Sequence, residues 1–278
     1  MKQIEKPTRI VDILGRNNNG KKNHNAFRLF RNGGWRHYNV QEYKENCDLI
    51  SHALMHYGVR RGDTIALIAS SRPEWNMIDM GVMQIGGVML PLDTNREAET
   101  YLEVMKRANV HILILENKEL LNRFKLLFPQ METLKEIFTI DISNVSESFG
   151  ELLDCGRQHA NPEELEKRLS ILSPDDVCTL CIMPDGQMEP LTHKQMMAKI
   201  EDAAESISTS DSPAVSNTPL YKLDERLNNY ALQYLGREIT CLPDGQTSEE
   251  QKEHKKGRES GKKLNAMLLQ LLTFHFSF

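Results

Sequence analysis

Apolar residues along this chain come alternately as short dense runs and as stripes at helical spacing. Residues 26–30 and 35–38 are two short runs separated by Asn32-Gly33-Gly34, which predicts a hairpin. Asn39 then reads as a helix N-cap with Glu42 three positions on, the spacing of a capping box. Tyr43, Cys47, Ile50, Leu54 and Tyr57 recur along one face of that helix until Gly58. The alternation continues with a strand over 64–69, a helix from Pro73 to residue 85 and a strand over 88–90 that ends before Pro91. A helix over 97–108, the strand Val110–Leu115, a helix over 117–128 and a strand over 133–140 follow. Later come a helix over 161–172 with Pro162 in its first turn, the strand Val177–Ile182, and a helix from Thr192 to residue 207. A helix over 222–235 and a strand over 238–242 close the ordered part.

Strands alternating with helices predict an α/β fold, a mostly parallel sheet with helices on both faces. Such folds bind ligands at the carboxyl ends of their strands, where Pro184–Gln187 would lie. By composition the chain divides into a flexible N-terminal segment (1–25), an α/β domain (26–242), a disordered charged linker (243–263) and a short apolar C-terminal helix (264–278). Within the domain, residues 208–217 read as a polar linker.

The chain has 278 residues, enough for a sizeable core, and a net charge of −5, which gives no electrostatic case for nucleic acid. The start of the chain carries no apolar core of a secretory signal, and no run approaches the roughly 20 apolar residues of a membrane-spanning helix. Five cysteines without framework spacing point to reduced thiols and a cytoplasmic protein. In the tail, Leu264, Met267, Leu268, Leu271 and Leu272 form a stripe followed by Phe274, Phe276 and Phe278, with Lys255, Lys256, Lys262 and Lys263 upstream. This pattern suits either a peripheral membrane contact or a helix docked on the domain.

The stretch with most chemical content is residues 173–194, SPDDVCTLCIMPDGQMEPLTHK. A strand, a glycine turn and a helix start are the frame of a phosphate site, with amide N–H groups facing the anion. The candidate loop residues are Pro184, Asp185, Gly186 and Gln187 in the turn, with Thr192 and Lys194 at the helix start. The turn has one glycine and neither hydroxyl nor lysine, and Asp185 would repel a phosphate. Cys178 and Cys181 sit three apart on a strand, so they point to opposite faces and read as two small core residues. His52 and His56 lie one helical turn apart with no third ligand nearby, and read as a solvated helix flank; no metal is expected.

Three segments resemble the acyl-CoA synthetases of the long-chain fatty acid type, within the adenylate-forming ligases. They are YGVRRGDTIALIASSRPEW (57–75) continuing through NMIDMGVMQIGGVMLPL (76–92), residues 172–194, and TPLYKLDERLNNYALQYLG (218–236). Residues 172–194 stand where that family carries T-S-G-T-T-G-x-P-K-G, and the present loop is shorter, without counterparts of its threonines, serine and lysine. Lys222 stands at a family histidine, with Glu225 and Arg226 retained after it, and Pro91-Leu92-Asp93-Thr94 departs from a family P-L-Y-P-T string. The resemblance, over roughly residues 30–242, implies a partial AMP-binding-like domain, truncated to the incomplete N-terminal half of an adenylate-forming ligase domain. It implies ATP or AMP, Mg and CoA as family ligands, whereas the residues themselves lead us to expect no cofactor. The expected function is non-catalytic, a binding or interaction module or a decayed fragment, with catalytic residues none. The alternatives are a carboxylate–CoA ligase active when completed by another polypeptide, and a membrane-associated scaffold. Truncation would leave apolar surface uncovered around residues 177–182 and 238–242, favouring self-association, a partner subunit or marginal stability.

Overall fold

The computed structural model describes residues 6–18, 24–31, 34–95, 98–142, 146–183, 185–207, 214–216 and 218–242. In chain order the elements are α1 (Asp12–Asn18), β1 (Asn25–Arg31), β2 (Gly34–Asn39), α2 (Val40–His56), β3 (Thr64–Ile68), α3 (Pro73–Gln84) and β4 (Val88–Leu92). Then come α4 (Ala98–Arg107), β5 (Val110–Leu115), α5 (Lys118–Phe124), β6 (Glu136–Thr139), β7 (Glu147–Ser148), α6 (Phe149–Gln158) and α7 (Pro162–Ile171). The last are β8 (Val177–Ile182), β9 (Met188–Thr192), α8 (His193–Ser206), β10 (Ala214–Ser216), α9 (Leu223–Tyr234) and β11 (Ile239–Cys241).

The strands form two sheets. The larger has the order β7-β6-β5-β3-β4-β8-β9, and every neighbouring pair in it is parallel except β8 with β9. The smaller has the order β10-β11-β1-β2, antiparallel between β1 and β2 alone. The larger sheet is sandwiched, as its dense apolar strands require. Successive side chains of a strand face opposite ways, so β3 sends Ile65 and Leu67 into one core and Ala66 and Ile68 into the other. In the same way β5 sends Ile112 and Ile114 one way and Leu113 and Leu115 the other. Tyr101 and Met105 of α4 and Leu120, Leu121 and Phe124 of α5 cover the second face. The first face is packed by α2, α3, α8 and α9 and also reaches the smaller sheet through Phe27 and Ile239.

Several expectations change here. Residues 1–25, expected as a flexible segment, hold α1 over their described part: it packs on α2 and α9, and Ile10 and Ile13 are fully buried. Their apolar positions were too few to stand out among the polar ones. The strand expected to stop before Pro91 continues to Leu92, with Leu67↔Pro91 in register. Pro91 has no N–H to donate, and β4 meets β8 through the single pair Met89↔Thr179. The strand near residues 238–242 joins the smaller sheet, and Ile239, Cys241 and Leu242 are fully buried, so no uncovered surface lies there. In β8, Cys178 and Thr179 are buried and the other residues half-buried. The polar linker at 208–217 holds a short strand, β10, over its described part. The hairpin residues Asn32 and Gly33, the linker 243–263 and the apolar helix 264–278 lie outside the described residues. Among the described residues no helix is long and apolar enough to cross a membrane.

Candidate functional site

The six residues singled out in the sequence do not form one cluster. Pro184 lies outside the described residues, while Asp185, Gly186 and Gln187 form an exposed hairpin tip at the carboxyl end of β8. The turn is followed by β9 rather than by a helix, because residues 188–192 pair back along β8 in the register Ile182↔Met188 to Val177↔Thr192. Thr192 and Lys194 therefore sit at the amino end of β8, a strand length away, about 15 Å at 3.3 Å per residue. Thr192 caps α8: its hydroxyl accepts from the Gln195 N–H at 3.2 Å, and the Gln195 side chain accepts from the Thr192 N–H at 2.8 Å. The next helix amides are also engaged, His193 N–H with the Asp176 carbonyl (3.0 Å) and Lys194 N–H with the Pro174 carbonyl (2.7 Å).

The tip itself binds to itself. Met183 N–H donates to the Gln187 carbonyl (2.8 Å), Gly186 N–H to the Met183 carbonyl (2.9 Å) and Gln187 N–H to Asp185 Oδ1 (3.0 Å). Gly186 has φ +79°, the left-handed conformation that glycine adopts without strain. A phosphate cradle needs amides free to converge on the anion, and three of this turn are committed to closing it. The open depression beside it, about 560 Å³, is lined by Met183, Asp185, Gln187, Met188, Glu189 and Pro190, two of them acidic.

Sheet topology marks a second place. The chain runs from β3 to its neighbour β4 on one side, while β5 lies on the other side of β3 and leads outward to β6. The crevice between the carboxyl ends of β3 and β5 is the switch point where open α/β sheets take ligands. Here the protein's own charged groups pair with one another. Ser70 donates through its N–H (3.0 Å) and hydroxyl (2.6 Å) to Glu116, which follows β5. Buried Arg72 donates to Glu74 (3.0 Å) and to Asp141 (3.0 Å), which follows β6. Arg31 of β1 donates both terminal nitrogens to the same Asp141 at 2.9–3.0 Å, tying the two sheets together. Burial alone would raise the Glu74 carboxyl, yet the Arg72 guanidinium holds it below its ordinary value. Asp141 is lowered in the same way, with Arg31 and Arg72 outweighing burial. The sequence signal for this cluster is a Ser-Ser-Arg-Pro run after β3 and a Glu after β5.

The retained Arg226 is fully buried, not a surface group. Its Nε and Nη2 donate to Asp79 of α3 at 2.9 and 2.6 Å, and Nη1 donates to the Thr179 hydroxyl of β8 at 2.7 Å. Thr179 in turn donates to the Met89 carbonyl of β4 (2.9 Å), and Tyr230 O–H donates to Asp79. One guanidinium thus fixes α9, α3 and the β4–β8 junction together. Lys222, at the family histidine position, is exposed at the start of α9. Cys178 is buried, Cys181 is half-buried, and both are free thiols. His52 is not solvated as expected: it is buried, and its Nδ1 accepts from the Asn161 N–H at 3.3 Å.

With fold and site in view, likeness to known proteins is informative. Fatty acyl-CoA synthetase A of Dictyostelium discoideum is 26% identical over 215 residues, 70% of this chain and 31% of that protein. The long-chain-fatty-acid–CoA ligase ACSBG2 of Mus musculus is 30% identical over 104 residues, 37% of this chain and 16% of that protein. This chain therefore spans less than a third of the length of either relative. Among solved structures, a long-chain-fatty-acid-CoA ligase from Archaeoglobus fulgidus superposes with a TM-score of 0.73 at 15% identity, over 93% of this chain and 51% of the other. That likeness shows the fold, which is that of the adenylate-forming ligases. Residues 14–182, from α1 to the end of β8, match the family of AMP-binding enzymes, and to that family the chain belongs.

Proposed function

We propose that this chain is a non-catalytic member of the acyl-CoA ligase-like family, a binding or interaction module that does not by itself adenylate a carboxylate. The observation that carries this reading is the hairpin tip, whose Met183, Gly186 and Gln187 amides are committed within the turn. Adenylation rests on donors and cations preorganised around a reacting triphosphate. The stretch 183–191 holds no lysine, serine or threonine, and Asp185 and Glu189 set negative charge where the anion would approach. The basic residues at the switch point, Arg72 and Arg31, are neutralised by Glu74 and Asp141.

The expected result is no carboxylate-dependent pyrophosphate release above a blank when the full chain is given ATP, Mg and a panel of fatty acids. Lys194→Ala should leave ATP binding, read by calorimetry, unchanged. Release that disappears when residues 185–187 are replaced would rule this reading out.

A second reading, a carboxylate–CoA ligase completed by another polypeptide, draws support from the two relatives named as acyl-CoA ligases and from the intact Arg226–Asp79 framework around β8. In that case ATP or AMP, Mg and CoA would be its ligands. The two readings part on whether a co-purified polypeptide restores pyrophosphate release.

A further inference from the structure

We infer that the carboxyl ends of α2 and α6 form a binding site for a late first-row divalent cation, Zn²⁺ above all, with His56, Cys155 and His159 as ligands. Among the described residues these three present donor atoms all within 4.8 Å of one another. His56 is the last residue of α2, Cys155 lies in the last turn of α6, and His159 is the residue that caps α6. Cys155 and His159 are four apart, so α6 sets them one above the other on a single face. The spacing of His52 and His56 pointed to no third donor, because the partners of His56 come from a helix a hundred residues on.

Four features make this more than a chance meeting of side chains. First, the helices are held unusually close: a Cβ on Gly156 would stand 2.1 Å from the Leu49 carbonyl oxygen, so only glycine lets α6 lie this near α2. Second, the His56 and His159 rings stack with centroids 3.6 Å apart, which brings their nitrogens together beside the Cys155 sulfur. Third, His159 Nδ1 lies 3.1 Å from the Cys155 carbonyl oxygen. The same Nδ1 lies 3.7 Å from Cys155 Sγ, so the ring already presents a nitrogen to the sulfur. Fourth, two helix carboxyl ends converge here, and the negative end of a helix dipole favours a cation.

The donor set selects the ion. One thiolate and two imidazoles suit Zn²⁺ and its neighbours, and are wrong for Mg²⁺ or Ca²⁺. Tetrahedral Zn²⁺ with bonds of about 2.0–2.3 Å needs its ligand atoms roughly 3.3–3.7 Å apart. Both histidines are exposed, so rotation about their side-chain bonds closes the remaining gap, and binding splays the stacked rings. Coordination displaces the Cys155 thiol proton to solvent, and water takes the fourth position. Bound this way, the ion clips α6 onto α2.

The test uses the full-length reduced chain and Co²⁺ as a spectroscopic stand-in. One equivalent should raise a thiolate-to-cobalt charge-transfer band and the intense visible bands of tetrahedral Co²⁺, and Zn²⁺ should abolish both. Cys155→Ser should lose the charge-transfer band, while Cys181→Ser, the other half-buried cysteine, keeps it. His56→Ala and His159→Ala should each weaken Zn²⁺ binding by more than about tenfold. Zn²⁺ at a hundred times its dissociation constant should raise the melting midpoint of the unsubstituted chain by roughly 5 °C and protect Cys155 from alkylation. If a variant unfolds, alkylation mapping on the unsubstituted chain still decides. The inference is overturned by no cobalt band at millimolar metal, by a band that survives Cys155→Ser, or by Cys155 alkylation that Zn²⁺ does not slow.

Discussion

Arg226→Met is expected to destabilise the fold by about 3–5 kcal/mol, the loss typical when one partner of a buried ion pair is removed. The geometry leaves Asp79 no substitute. Both its oxygens face Arg226, Tyr230 O–H is the other donor, and Asp79 is fully buried. Burial pushes the Asp79 carboxyl up from its ordinary value, with Arg226 and Tyr230 pulling against it. Without the guanidinium the carboxyl must stay buried and uncompensated or take up a proton. Thr179 would also lose its donor at the β4–β8 junction, where the ladder is a single pair. Replacing both partners, Asp79→Leu with Arg226→Met, should recover most of the loss, since an apolar pair removes the desolvation cost as well. Urea midpoints of the two single variants and the double variant give the coupling directly. A single variant within 1 kcal/mol of the unsubstituted chain would show that the pair is not what holds α9 to α3.

Much of the fold was legible because it depends on local rules. Strands β3 and β5 are dense apolar runs bounded by turn residues, and both lie close to where the pattern put them. Asn39 caps α2 as expected, its side chain accepting from the Glu42 N–H at 2.8 Å. Pro73 opens α3, and Gly58 turns the chain after α2 with φ +77°. What was missed had weak or conflicting local signals. Helix α6 reads FGELLDCGRQ, with two glycines in ten residues. Its start was nonetheless marked, since Ser148 and Glu151 make a full capping box. Strand β9 contains Pro190 and Glu189 and has little β propensity; it exists because β8 offers an edge to pair with.

The site was harder to read than the fold, for a reason of the same kind. A glycine turn shows in sequence, but which way the next residues run does not. Pairing of residues 188–192 with β8 separated Thr192 and Lys194 from the tip, an outcome of tertiary register rather than of composition. The charge clusters were equally hidden. Arg72 and Asp141 are 69 positions apart, and Asp79 and Arg226 are 147 apart. Only the tertiary fold, sheet order for the first pair and helix packing for the second, brings them together.

His193 should make the fold acid-labile well before its carboxylates titrate. The residue opens α8 with its side chain buried, and its Nδ1 has no hydrogen-bond partner among the described residues. Burial, with Arg9 and Arg226 nearby, pulls its pKa down from 6.5 to about 4, against the opposing pull of Asp176 and Asp12. In the unfolded chain the imidazole takes up a proton near pH 6.5, while in the folded chain it stays neutral until about pH 4. Between these values the unfolded state binds more protons, so stability rises with pH. The contribution is complete above pH 6.5 and is lost as pH falls toward 4, about 3 kcal/mol in all. About 2 kcal/mol of that should disappear between pH 7.5 and pH 5. Glu74 and Asp141 are depressed below ordinary values of 4.5 and 3.8, so their contributions vanish only at lower pH, while Asp79, raised by burial, acts in the opposite sense and is common to every variant compared. Buried His52 is shifted in the same direction as His193 by desolvation and adds to the slope, so it needs its own control variant. His193→Gln keeps a polar side chain of similar reach without a proton to gain. Its urea-derived stability should be nearly flat across that window in a His52→Gln background. Equal slopes with and without His193 would mean that the imidazole is reached by water and that its burial does not govern acid unfolding.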